Sequence, residues 1–114
     1  MSAAHRRIGA VGEPLAWRLY REAHKAAEAS ADLLKGMAAG RAWAEWQEIA
    51  YGIPALRLIA ISAELARAWD EVLATRANAA GSCRIEDGRA AGAAWARWLA
   101  LFASRDFSTT TRRA

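Results

Sequence analysis

The sequence predicts an all-α protein, an antiparallel bundle of about four helices flanked by disordered basic termini. Alanine dominates its apolar residues, and strand-favouring valine occurs only at Val11 and Val72. Apolar side chains recur every three to four positions over long stretches, the period of a helix with one buried face. The 114 residues suffice to bury one core. This gives a single helical domain over residues 13–104, between a flexible N-terminal arm, 1–12, and a flexible C-terminal tail, 105–114.

The first helix is expected to open at Pro14, because a proline suits the first turn and Glu13 favours the positive end of the helix dipole. Ala16, Leu19, Tyr20, Ala23, Ala27, Ser30, Leu34 and Met37 form its stripe, and Lys35 followed by Gly36 reads as its stop. A shorter second helix fits about 39–51, with Trp43, Trp46, Ile49 and Ala50 on one face and Gly52 closing it. Pro54 is expected to start a third helix reaching about Asn78, with Leu58, Ile59, Ser62, Leu65, Ala66, Trp69, Val72 and Leu73 as its core stripe. Glu64, Arg67 and Glu71 stand at pairing distance on its polar edge, while Ala60 and Ile61 widen its apolar surface and suggest a central position or a second buried contact such as a dimer surface. The stretch Asn78 to Cys83 reads as the main loop. The fourth helix follows over about 85–103, with Ala91, Trp95, Trp98, Leu99 and Phe102 as its stripe. Gly88 and Gly92, four apart, offer a place where a second helix backbone could approach.

The formal charge of +4 would suggest an anionic partner if it were spread over the fold. It resides in the termini instead: Arg6 and Arg7 at one end, and Arg105, Arg112 and Arg113 against Asp106 at the other. Residues 13–104 balance eleven basic with eleven acidic side chains. A single cysteine, Cys83, forms no internal disulfide and no cysteine-based metal site, so the chain reads as cytoplasmic, with neither metal nor cofactor expected. The apolar stretch after Arg6-Arg7 is too short for a secretory core, and the longest apolar run in the middle, Leu58 to Ala63, falls far short of the about 20 residues that span a bilayer.

Glycine-rich phosphate loops, paired histidines at metal spacing and a nucleophile with a basic partner are all missing from the sequence, which disfavours most enzyme classes. Six tryptophans are many for so small a core. Trp43 with Trp46, and Trp95 with Trp98, stand three apart and project from one face of their helices. Core packing is the first reading, while a partner surface or a base-stacking platform is the sharper one. Trp17, Tyr20 and Arg21 join these four as candidate interface or binding residues.

The run Tyr20-Arg21-Glu22-Ala23-His24-Lys25-Ala26-Ala27 resembles the first-helix signature of an actinobacterial branch of HEPN domains. Trp43, Pro54, Ala68-Trp69-Asp70 and Leu101-Phe102 follow in the order of that branch, so the likeness covers about residues 14–103. The resemblance implies a helical homodimer and a nucleic-acid or protein partner. Many HEPN domains cleave RNA without metal through an arginine and a histidine separated by four to six residues, a spacing that Arg18 and His24 satisfy. An arginine there would steady the charge developing on the phosphodiester while the histidine moves the ribose hydroxyl proton. The pair departs from the family pattern in lying on the first helix and in having Leu19 directly after Arg18. Six residues of helix, moreover, leave the two side chains about 120 degrees apart. The sequence therefore favours a non-catalytic HEPN-like interaction module, with a metal-independent ribonuclease using Arg18 and His24 as the enzyme alternative. A phasin-like coat of amphipathic helices on a polymer granule is the third reading.

Overall fold

The computed structural model describes residues 14–56 and 60–103. Over these the chain forms α1 (Leu15–Glu28), α2 (Leu33–Tyr51), α3 (Ala63–Ser82) and α4 (Ile85–Ala100), with no strand among the described residues. The all-α bundle expected from the spacing pattern is thus the fold. The helices pair as two hairpins, α1 with α2 and α3 with α4, and the hairpins close on each other mainly through α2 and α4. The arm expected over 1–12 and the tail over 105–114 lie outside the described residues, as do Leu58 and Ile59 of the expected third-helix stripe.

The first helix stops seven residues before the expected Lys35-Gly36 boundary, and the second begins correspondingly early. Local hydrogen bonds explain the break. The Ser30 hydroxyl accepts from the Asp32 amide, and the Asp32 carboxylate accepts from Leu34 N–H at 3.0 Å, so Asp32 is the N-cap of α2. Tertiary bonds from α3 reinforce it. The Trp69 indole donates to Ala31 O at 2.9 Å, and the Arg76 guanidinium donates to Ala27 O at 3.1 Å and Ser30 O at 2.9 Å. Trp69 and Arg76 are seven residues apart and share one face of α3, so that face holds the corner between the first two helices. Arg76 also places a cation at the C-terminal end of α1, where it suits the helix dipole. Replacing it by methionine keeps the aliphatic stem and removes both bonds. In urea unfolding Arg76→Met is expected to lose about 1–3 kcal/mol of stability, whereas Arg67→Met, exposed on the same helix, stays close to wild type.

Pro54 does not start a helix. Ala55 pairs with Ala103 in an isolated antiparallel bridge and Leu56 N–H donates to Phe102 O, which commits this stretch to an extended connector. Helix α3 begins instead behind Ser62, whose hydroxyl accepts from Leu65 N–H at 3.2 Å. Ala60 and Ile61 therefore precede the helix and do not widen its apolar face. At its other end α3 runs through the expected Asn78–Cys83 loop to Ser82, and Cys83 adopts the left-handed conformation at φ 56° that closes it. The turn is two residues long and is stitched by Arg84 N–H and the Asp87 carboxylate, both bonded to the Ser82 hydroxyl. Gly52 closes α2 at φ 70°, as its position predicts. Glu71 turns away from Arg67 to pair with Arg97 of α4 at 2.9 Å.

The core explains the remaining shifts. Trp98 and Phe102 are fully buried between the hairpins, with Trp69 beside them. Their rings need room, and α2 supplies it with glycine. A Cβ at Gly36 would lie 2.5 Å from Trp69 Cζ3, and one at Gly40 would collide with the Phe102 ring. The close-approach pair is therefore Gly36 and Gly40. Nothing lies within 4 Å of a Cβ at Gly88 or Gly92, where the sequence suggested the approach. Met37, Ala39 and Ala44 complete the buried face of α2, which turns Ile49 and Ala50 outward instead of into the expected stripe. Leu19 and Leu34 are likewise exposed despite their stripe positions, because Ala16, Tyr20 and Ala27 occupy the narrow contact between α1 and its neighbours.

Candidate functional site

Six rings form a continuous chain from the open end of the α1–α2 hairpin to α4. Tyr51 meets Trp46 edge to face at 6.4 Å, Trp46 meets Trp17 at 5.5 Å, and Trp17 meets Tyr20 at 5.4 Å. Tyr20 stacks on His24 at 5.6 Å with planes 4° apart, and His24 stacks on Trp95 at 4.6 Å. The helical repeat produces this order, since Trp17, Tyr20 and His24 follow one another at three and four residues on α1. Trp95 Nε1 donates to the Tyr20 hydroxyl at 3.1 Å and so ties α4 to α1 at the middle of the chain.

Beside His24 the surface opens into a groove of about 240 Å³, lined by Glu28, Val72, Arg76, Ala91, Gly92 and Trp95 together with His24 itself. Three helices contribute, and the α4 floor is low because Ala91 and Gly92 put little side chain there. His24 Nε2 stands 3.7 Å from the Glu28 carboxylate, an ion pair when the imidazole is protonated. Tyr20, buried behind them, has its phenol pushed above the ordinary tyrosine range by burial. The indole N–H from Trp95 opposes that shift and the Glu28 charge adds to it. The His24 ring stacks on Tyr20 and on Trp95, and two nitrogens of the Arg76 guanidinium are bonded to the carbonyls of Ala27 and Ser30. The groove can thus seat an apolar or flat group on its floor, with a hydrogen-bonding imidazole and a carboxylate at the rim.

Of the candidate residues, Tyr20, His24 and Trp95 come together here, with Trp17 and Trp46 continuing the ring chain. Arg18 is exposed on another side of α1, and no hydrogen bond or ion pair joins it to His24 among the described residues. Arg21 is exposed on α1, and Trp43 is half-buried against the core. Trp98 is sealed inside the fold, where its indole donates to Gly36 O at 2.9 Å, so it offers no surface to a partner. Glu28 and Arg76 carry no site signal in the sequence, and Gly92 stands out there only as a place for helix approach. Arg76 was legible only as the residue one heptad after Trp69 on the core side of α3.

No group of three or more His, Cys, Asp or Glu side chains that could hold a metal ion occurs among the described residues, and no helix there is long and apolar enough to cross a membrane. Comparison of the chain with protein-family models, with curated proteins and with solved structures finds no match.

Proposed function

We propose that this chain is a HEPN-like helical interaction module that works as a homodimer and binds or regulates a nucleic-acid-associated partner. The supporting observation is the surface that a filled core leaves over. No buried side-chain nitrogen or oxygen lacks a partner among the described residues, yet Leu15, Leu19, Leu34, Ile49, Ile61 and Ile85 all remain exposed. Of these, Leu15, Leu19 and Ile49 stand on one side of the α1–α2 hairpin, and contiguous apolar surface on a small domain is a mark of association. Within this reading the His24 groove, with Trp95 and the ring chain behind it, is where the partner makes contact.

RNA cleavage by Arg18 and His24 has less support, because the two side chains leave α1 about 120 degrees apart and nothing joins them among the described residues. One preparation separates the readings. The purified protein is expected to have the molar mass of two chains, to carry a partner from cells, and to leave mixed RNA uncut in the absence of metal. RNA cleavage that His24→Ala abolishes would replace the module with the ribonuclease, and a bare monomer that carries nothing would overturn the proposal.

A further inference from the structure

Leu15 and Leu19 stand one turn apart on α1, between 51% and 62% exposed, and Ile49 and Leu34 on α2 are exposed to similar degrees, 64% and 61%. The contact of Trp17 with Trp46 sets the antiparallel register of the two helices. In that register Leu15 lies level with Ile49, and Leu19 lies level with the turn containing Ala42 and Glu45. A shallow depression of about 150 Å³ between the helices, lined by Ala16, Leu19, Arg41, Ala42 and Glu45, confirms the second juxtaposition. The outer side of the hairpin is therefore a mostly apolar face, about 140 degrees around α1 from His24. Arg41 and Glu45 are the α2 charges at its middle, and Glu22 of α1, three residues after Leu19, is exposed at its edge. Arg41 and Glu45 stand one turn apart on α2, both exposed, and neither is ion-paired among the described residues.

We propose that this face receives a second copy of the same chain about a two-fold axis passing between Arg41 and Glu45. The inference rests on the homodimeric reading above and specifies its surface. A two-fold axis makes a patch meet itself, so a patch with one cation and one anion side by side is complementary to its own copy. Arg41 then pairs with Glu45 of the partner subunit and Glu45 with Arg41 of the partner subunit, while Leu15, Leu19 and Ile49 close around them. The size is adequate. The 14 residues of α1 span about 21 Å, and two adjacent helices present a face about 20 Å wide, giving roughly 400 Å² in projection and more in accessible area. Specific interfaces begin at about 500 Å² per partner. Docking here leaves the His24 groove of each subunit open.

The test is the concentration dependence of molar mass by sedimentation, with circular dichroism confirming that each variant stays helical. Leu19→Asp and Ile49→Asp are each expected to weaken self-association by at least about tenfold. Arg41→Glu and Glu45→Arg, each alone, place like charges across the axis and weaken it similarly. The two single variants mixed together, and the double variant Arg41→Glu/Glu45→Arg, restore opposite charges and regain dimers. A wild-type dimer unaffected by these changes overturns the surface and leaves the homodimeric reading intact. A wild-type monomer up to about 100 µM, well above typical specific dissociation constants, overturns both, as does a mass of one chain bound to a different protein across this face.

Discussion

Gly40→Ala is expected to destabilise the protein even though alanine favours helix over glycine by about 1 kcal/mol. The added methyl has no space, because the ring of Phe102 occupies its position and is itself fully buried. Overpacking of a filled core costs about 1–3 kcal/mol and at times more, which exceeds the gain in helix propensity. Gly88→Ala is the matched control. It lies in the helix interior of α4 with nothing within 4 Å of the new Cβ, so it is expected to raise stability by roughly 0.5–1 kcal/mol. Thermal unfolding of the pair therefore yields opposite signs for the same chemical change. Two shifts in the same direction would mean that the Phe102 ring does not rest on Gly40.

Trp98→Ala is expected to have the largest effect of any single substitution on the core, a loss of about 3–5 kcal/mol by the usual cost of emptying a buried aromatic site. The Trp98 ring touches both neighbours of the aromatic cluster, Trp69 at 5.0 Å and Phe102 at 5.1 Å, and its N–H reaches across to Gly36 O on the other hairpin. Trp98→Phe keeps most of the volume but not the donor and is expected to fall between wild type and the alanine variant. Denaturant titration followed by far-ultraviolet circular dichroism reads both. In a marginally stable domain of this size the alanine variant loses much of its folding free energy, so partial unfolding at ambient temperature is the expected outcome. If Trp98→Ala were no more damaging than a change at half-buried Trp43, the closure of the hairpins through Trp98 would be wrong.

The sequence revealed helix type and helix number because both depend on a period that no tertiary contact reverses. Boundaries were another matter. Ser30 and Asp32 carried a capping signal, but the apolar spacing from Ala16 to Met37 ran unbroken across it, and the deciding bonds come from Trp69 and Arg76 nearly forty residues or more away. Pro54 is compatible with a first helical turn or with an extended connector, and only the pairing of Ala55 with Ala103 decides between them. The two pairs of glycines were indistinguishable in sequence. Gly36 and Gly40 face aromatic rings and Gly88 and Gly92 face open space because of how the hairpins close, which a one-dimensional pattern does not encode.

The candidate site divides the same way. Tyr20 and His24 were visible as a one-turn pair on α1, and their stacking follows from that spacing. Trp95 was visible as a tryptophan near the core, but its stacking on His24 and its bond to Tyr20 depend on the packing of α4 on α1. Arg18 and His24 met a spacing rule borrowed from a resemblance, while the helix itself turns them apart. The outer face of the hairpin is not legible in the sequence because Leu19, Leu34 and Ile49 fall in register with the core stripe, while glycine and alanine fill the core instead.

The closing of the two hairpins through aromatic rings seated on glycine underlies the groove, the ring chain and the exposed outer face alike. Proton magnetic resonance tests it directly. The Hα protons of Gly36 and Gly40 are expected far upfield of their ordinary positions, with nuclear Overhauser contacts from Gly36 to the Trp69 ring and from Gly40 to the Phe102 ring. Ordinary glycine shifts without those contacts would contradict the account.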